Sequence, residues 1–223
     1  MRQWVLVLAV IAASTIATPA LAQDHRGEVS VLVGWTFSDG VSGDSILAGD
    51  GNRYDRVDPK DSFKWGFDVG AYASENLQVG FLFGQQMSKL TFGGSATSEV
   101  GDLKVNTYHG YFAYNFGESS APVRPYAMVG LGATNFASVD FTSPGGRIGT
   151  TGSETQFSTT WGAGVKFFAS PNVGARVGIQ WTPTYIKSDA GGWWCDPYWG
   201  CYLTGNAQYS NQWDFSGGLT FRF

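Results

Sequence analysis

From Trp213 to Phe223 the chain alternates without a break. Trp213, Phe215, Gly217, Leu219, Phe221 and Phe223 fall on one parity, with mostly polar or charged residues such as Asp214, Ser216, Thr220 and Arg222 between them. A two-residue period makes a strand with one oily and one wet face. Residues 1–22 read as a secretory signal: Arg2, an apolar run from Trp4 to Ala13, and Ala20-Leu21-Ala22 before Gln23. That run is too short to cross a bilayer and a small-residue cleavage site follows it. Residues 23–223 are then expected to form one domain.

The remainder has no apolar stretch long enough for a transmembrane helix. Yet the chain carries 16 Phe, 10 Tyr, 9 Trp and 31 Gly. A soluble domain of this size needs a large core to hide so many rings, whereas a lipid-facing wall leaves them outside. Glycine makes room inside a narrow barrel. The formal charge of −4 offers nothing to a nucleic acid.

Alternation picks out eight segments: Val29–Phe37, Phe63–Ala73, a third from Leu77, about Lys104–Phe116, about Pro125–Phe136, a sixth around Trp161, a seventh around Val177, and the terminal strand. The fourth is ambiguous; Tyr108, Phe112, Tyr114 and Phe116 are placed outside, with Thr107, His109, Tyr111 and Asn115 inside. Long polar connectors (38–62, 93–101, 137–155, 188–206) alternate strictly with short ones, as in a meander with longer outer loops. Trp65 to Asn76 also echoes Trp161 to Asn172, which makes the sixth strand the counterpart of the second. The expected fold is all-β, an eight-stranded antiparallel up-and-down transmembrane β-barrel.

On these residues the chain resembles the small outer-membrane barrels of Gram-negative bacteria, such as the OmpA transmembrane domain and OmpX. The resemblance rests on the signal, the strand pattern, Val177-Gly178-Ile179-Gln180-Trp181 and the Phe221-Arg222-Phe223 ending. It implies residence in the cell outer membrane among lipid and lipopolysaccharide. It also implies that Phe223 is the signal read by the barrel-assembly machinery. No peptidoglycan-binding domain follows, so a wall-tethering role is not expected.

Glu28, Lys64, Asp68, Lys166, Arg176, Asp214 and Arg222 are expected to face the bore, because a Lys or Arg against mid-bilayer lipid costs about 2–4 kcal/mol. A bore of eight strands is just wide enough for its own side chains, so these charges would pair and plug it. A Glu28–Arg222 contact is expected, with a second network joining Asp68, Lys166, Arg176 and Asp214. Trp35, Phe63, Trp65, Trp161, Trp181 and Trp213 would mark one membrane interface. Tyr114, Phe116, Phe167, Phe221 and Phe223 would mark the other.

The fourth outer connector holds Cys195 and Cys201, expected to form a disulfide on the oxidising side. Around them Trp193, Trp194, Tyr198, Trp199 and Tyr202 make a candidate contact surface for an extracellular ligand. The first connector (Asp44, Asp50, Asn52, Asp55, Asp58, Asp61) lacks the Gly and terminal Glu of a calcium loop. No cofactor or metal is expected. His109 precedes Gly110 and has no nucleophile at the spacing of the deacylase-type barrels, so it reads as a packed residue rather than a base. The expected role is that of a monomeric, non-enzymatic barrel acting in envelope integrity or surface interaction through its outer loops. A narrow ion or solute channel is the second reading and a lipid-active enzyme the third.

Overall fold

A computed structural model describes residues 26–47, 52–142, 148–150, 152–186, 195–196, 200–201 and 208–223. Eight long strands carry the architecture: β1 (Gly27–Ser38), β4 (Ser62–Tyr72), β5 (Leu77–Gly94), β6 (Ser98–Asn115), β7 (Val123–Phe136), β10 (Glu154–Phe168), β11 (Val173–Ile186) and β14 (Gln208–Arg222). Each pairs antiparallel with its neighbours in chain order, and β1 closes against β14, so no edge remains in this wall. The strands at the second and sixth places are β4 and β10, four apart around the ring, where the internal echo puts them.

Pairing is staggered. A register row leaves Phe37 and passes Trp213, Trp181, Trp161, Val129, Phe112, Val79 and Ala71. It re-enters β1 at Gly27, ten residues below its start. With eight strands, such a stagger tilts them by roughly 40° and leaves a bore filled by side chains.

The two parities separate cleanly. Leu131 is 63% exposed and Leu219 56%, and Val31, Val69, Phe81, Phe112, Val177 and Phe215 share that outer face. Glu28, Asp68 and His109 are fully buried on the other. On β6 the outward set is Tyr108, Phe112 and Tyr114, followed by Phe116 just past its end, over buried Thr107, His109, Tyr111 and Asn115. Inside, glycines admit large side chains at two neighbouring positions. A Cβ on Gly164 or Gly178, which are register partners, would lie 2.6 or 2.4 Å from the Tyr126 hydroxyl.

The connectors correct the expectation of four polar loops. Residues 38–62 contain β2 (Val41–Leu47) and β3 (Arg53–Pro59), and β3 pairs with the far end of β5. β5 and β6 run 18 residues each, so the 93–101 connector is mostly strand. Between β7 and β10 stands a small hairpin of β8 (Asp140–Thr142) and β9 (Ile148–Thr150). In this extension the polarity of the faces inverts. Leu90, Leu103 and Val105 point in, while Lys89, Asp102 and Lys104 point out. Val41, Val57, Phe136, Val139 and Ile186 complete that inner apolar cluster. The wall thus changes from an oily-outside to an oily-inside barrel between Gln85 and Lys89.

Candidate functional site

Three basic residues lie side by side in one register row: Arg124 on β7, Lys166 on β10 and Arg176 on β11. Like charges set directly opposite in a sheet repel, and acids on the facing wall offset them. Lys166 donates to Glu28 of β1 and, at 3.0 Å, to the Gln78 amide oxygen of β5. Arg176 donates to Asp68 of β4 and, at 2.9 Å, to the Tyr126 hydroxyl seated against Gly164 and Gly178. Its guanidinium stands 4.4 Å over the Tyr126 ring.

Glu28 gathers most of the end nearest the termini. It accepts from Arg222 at 3.3 Å and from the Tyr72 hydroxyl at 2.8 Å besides Lys166. Glu28 and Arg222 are direct register partners. Arg222 also stacks 3.3 Å over the Phe168 ring and donates to the Ser119 carbonyl. Further along, Asp214 accepts from Lys64 and from Thr36, each at 2.5 Å. Across from it, His109 shares a 2.9 Å hydrogen bond with Ser158, to which Thr134 donates. Next comes an amide level, where Gln212 donates to Gln86 at 2.8 Å and Gln86 to Ser62 at 3.0 Å.

All seven charged residues placed in the bore by the sequence lie there, and Glu28 meets Arg222 and Asp68 meets Arg176, but the expected second network of Asp68, Lys166, Arg176 and Asp214 is divided. Lys166 joins Glu28 instead of Asp68, and Asp214 joins Lys64 instead of Arg176. The result is three ion-pair groups stacked along the axis. Tyr126 and Arg124 were not singled out by sequence. Arg124 precedes the expected strand start at Pro125, and extending the period by one residue reveals it. It is 1% exposed, donates to the Glu75 carbonyl and lies 5.8 Å over the Tyr72 ring. Five cations and three carboxylates (Glu28, Asp68, Asp214) are thus buried or nearly so among the described residues. A small half-open pocket beside Lys64 and Asp214, bordered by Gly34, Gly66, Gly84 and Thr107, also touches the outward-facing Trp35, Trp65 and Phe215.

Among the described residues no three His, Cys, Asp or Glu side chains converge as a metal site. His109 Nδ1 lacks a hydrogen-bond partner, and no carboxylate orients it. Cys195 stands opposite Cys201 in a two-residue ladder between β12 (Cys195–Asp196) and β13 (Gly200–Cys201), the backbone relation alone being described. Trp193, Trp194, Tyr198, Trp199 and Tyr202, Asp50, and residues 1–22 lie outside the described residues, while Asp44 falls within β2. Phe223, at the C-terminus, is 69% exposed and its backbone pairs with Gly27.

A family model described as outer membrane protein beta-barrel domain matches residues 7–223. No curated protein shows significant similarity to the chain. Among solved structures, the outer membrane protein OprG from Pseudomonas aeruginosa is 14% identical with a TM-score of 0.58, over 91% of this chain and 99% of that one. Neisserial surface protein A is 15% identical with a TM-score of 0.56, over 88% and 97%. The outer membrane protein AlkL, determined in lipid bilayers, is 15% identical with a TM-score of 0.55, over 92% and 95%. At these identities the likeness is one of fold.

Proposed function

Because this chain belongs to the outer membrane protein beta-barrel domain family and resides in the cell outer membrane, we propose that it is a non-conducting barrel whose working part is its extracellular end. That end serves envelope integrity or contact with an external ligand. The observation that carries this reading is the stack of contacts made within the bore between non-adjacent strands. Glu28–Lys166, Asp68–Arg176, Lys64–Asp214 and Gln86–Gln212 succeed one another along the axis, and the apolar cluster around Leu103 and Phe136 lies beyond them. A permeating ion would have to separate buried ion pairs, each costing about 3–5 kcal/mol to break, and then pass a dry layer. A Cys195–Cys201 disulfide would brace the fourth outer loop, and Trp193, Trp194, Tyr198, Trp199 and Tyr202 are the proposed contact residues there. The proposed barrel acts as a monomer, and Phe223 is the residue proposed to engage the assembly machinery.

Planar-bilayer recording of the purified protein tests this directly. No steady single-channel current is expected, and stepwise openings at constant voltage would refute the reading in favour of a narrow channel. A lipid-active enzyme has less support. His109 and Ser158 sit inside the bore, away from lipid, with no third group to orient the imidazole.

A further inference from the structure

Around its outer interface the barrel wall is not uniform. On β10, β11, β14 and β1 the outward residues towards the outer end are largely aromatic, and Phe157 and Tyr209 lie beyond Trp161 and Trp213. Trp161, Trp181, Trp213 and Phe37 follow one register row, and Trp181 stacks on Trp213 at 5.9 Å. The arc from β4 to β10 is different. One outward row there runs Trp65–Gln85–Asn106–Asn135–Thr155. Its side chains bond sideways across five strands. Trp65 Nε1 donates to Gln85 Oε1 at 3.2 Å, and Gln85 Nε2 to Asn106 Oδ1 at 2.8 Å. Asn106 Nδ2 donates to Asn135 Oδ1 at 3.5 Å, and Asn135 Nδ2 to Thr155 Oγ1 at 2.9 Å.

An amide carries two donors and two acceptor lone pairs, so this ribbon leaves outward hydrogen-bonding capacity at Gln85 and Asn106. Below it the exterior is apolar (Phe83, Tyr108, Leu131); above it Met87 comes first, opposite Lys104 in register, and then Lys89 and Asp102. Register rows run obliquely to the membrane plane in a staggered barrel, so the ribbon climbs from Trp65 to Thr155, and its Gln85–Asn106–Asn135 stretch crosses the zone where apolar exterior gives way to charged exterior. Lys104 stands one outward position above Asn106 on β6, exposed, and makes no ion pair among the described residues. Lys89 and Lys60 nearby share the single carboxylate of Glu99, while Asp102 lies opposite Lys89 in register.

We propose that the Gln85–Asn106–Asn135 ribbon with Lys104 is a docking strip for the phosphorylated, amide- and hydroxyl-bearing headgroup of an outer-leaflet glycolipid. The amides hydrogen-bond the sugar and its acyl-amide linkages, Lys104 takes the phosphate, and the acyl chains lie on Phe83, Tyr108 and Leu131. The indole arc carries no such row of donors and acceptors and holds lipid without selection. Position and charge argue for this occupant: the strip faces lipid below and offers above a cation with no ion pair among the described residues.

Native mass spectrometry of the full chain, released from phosphatidylcholine nanodiscs doped with lipid A, reads the bound lipid. Phosphatidylglycerol and phosphate-free lipid A are the comparison dopants. Wild type should retain lipid A at least tenfold better than phosphatidylglycerol. Lys104→Gln should lower retention of lipid A about tenfold and leave the phosphate-free lipid unaffected. The pair Asn106→Leu with Asn135→Leu should lower retention of both, and Trp181→Phe neither. Equal retention of lipid A by wild type and Lys104→Gln would overturn the proposal, even if the amide variant does not fold. A protein dimer abolished by the amide variant, without change in lipid retention, would overturn it in favour of a second copy on the strip.

Discussion

Replacing Glu28 by Ala removes the one carboxylate that serves Lys166, Arg222 and the Tyr72 hydroxyl together. At an effective dielectric constant of about 20, a pair of unit charges roughly 3 Å apart attracts by about 5 kcal/mol. Desolvation of the charges offsets part of that attraction, and breaking one buried pair costs about 3–5 kcal/mol net. After the change Lys166 keeps the Gln78 oxygen at 3.0 Å and the faces of Tyr72 and Tyr126, and Arg222 keeps the Ser119 carbonyl, the Tyr72 hydroxyl and the Phe168 face. Two cations then share a closed space with Arg124 and have no acid between them. The expected loss is about 4 kcal/mol of unfolding free energy. Urea unfolding in phospholipid vesicles, followed by tryptophan fluorescence, measures it, with heat-dependent gel mobility reporting on the folded barrel. Adding Lys166→Met to Glu28→Ala removes one stranded cation and should restore about half the loss, the coupling signature of contacting residues. A loss under about 1 kcal/mol, or a double variant no more stable than the single one, would refute the assignment of Glu28 as the hub of the inner bore.

Gly178→Ala places a methyl 2.4 Å from the Tyr126 hydroxyl and pushes it off Arg176. The expected cost is about 1–3 kcal/mol, reduced when Tyr126→Phe is added, by the same unfolding measurement. Outside the membrane, the Lys89 ammonium hydrogen-bonds Glu99 and holds its carboxyl below the usual carboxylate range. A depressed folded-state value means that the contact is present above the ordinary range and is lost as pH falls through the lowered value. A carbon NMR titration should therefore show Glu99 protonating at lower pH than it does in Lys89→Ala, and coincident titrations would contradict the contact.

Alternation made both faces of β1, β4 and β14 legible, because a strand shifted by one residue turns every side chain to the wrong side. The upper halves of β5 and β6 were hidden by the same logic. Above Gln85 the period continues with its polarity reversed, Lys89 and Lys104 outside and Leu90 and Leu103 inside. A rule that expects oil outside finds these residues contradictory, which is why the fourth segment read as ambiguous. Which residues enter the bore was likewise readable, but who meets whom was not. Lys166 reaches Glu28 and not Asp68 because of stagger and side-chain length across the bore, which are properties of the closed barrel. The exterior amide ribbon is not legible in the sequence, because Gln85, Asn106 and Asn135 lie on three strands and converge only through the register.

Everything rests on which face meets acyl chains, and lipid-edited solid-state NMR of the unmodified protein in bilayers measures that without altering a side chain. Magnetisation from acyl protons should reach Val31, Val69, Leu131 and Leu219 and bypass Leu82, Leu103 and Ile186, which are buried within the barrel. Strong transfer to Leu103 and Ile186, with Leu131 and Leu219 reached from water instead, would contradict the arrangement.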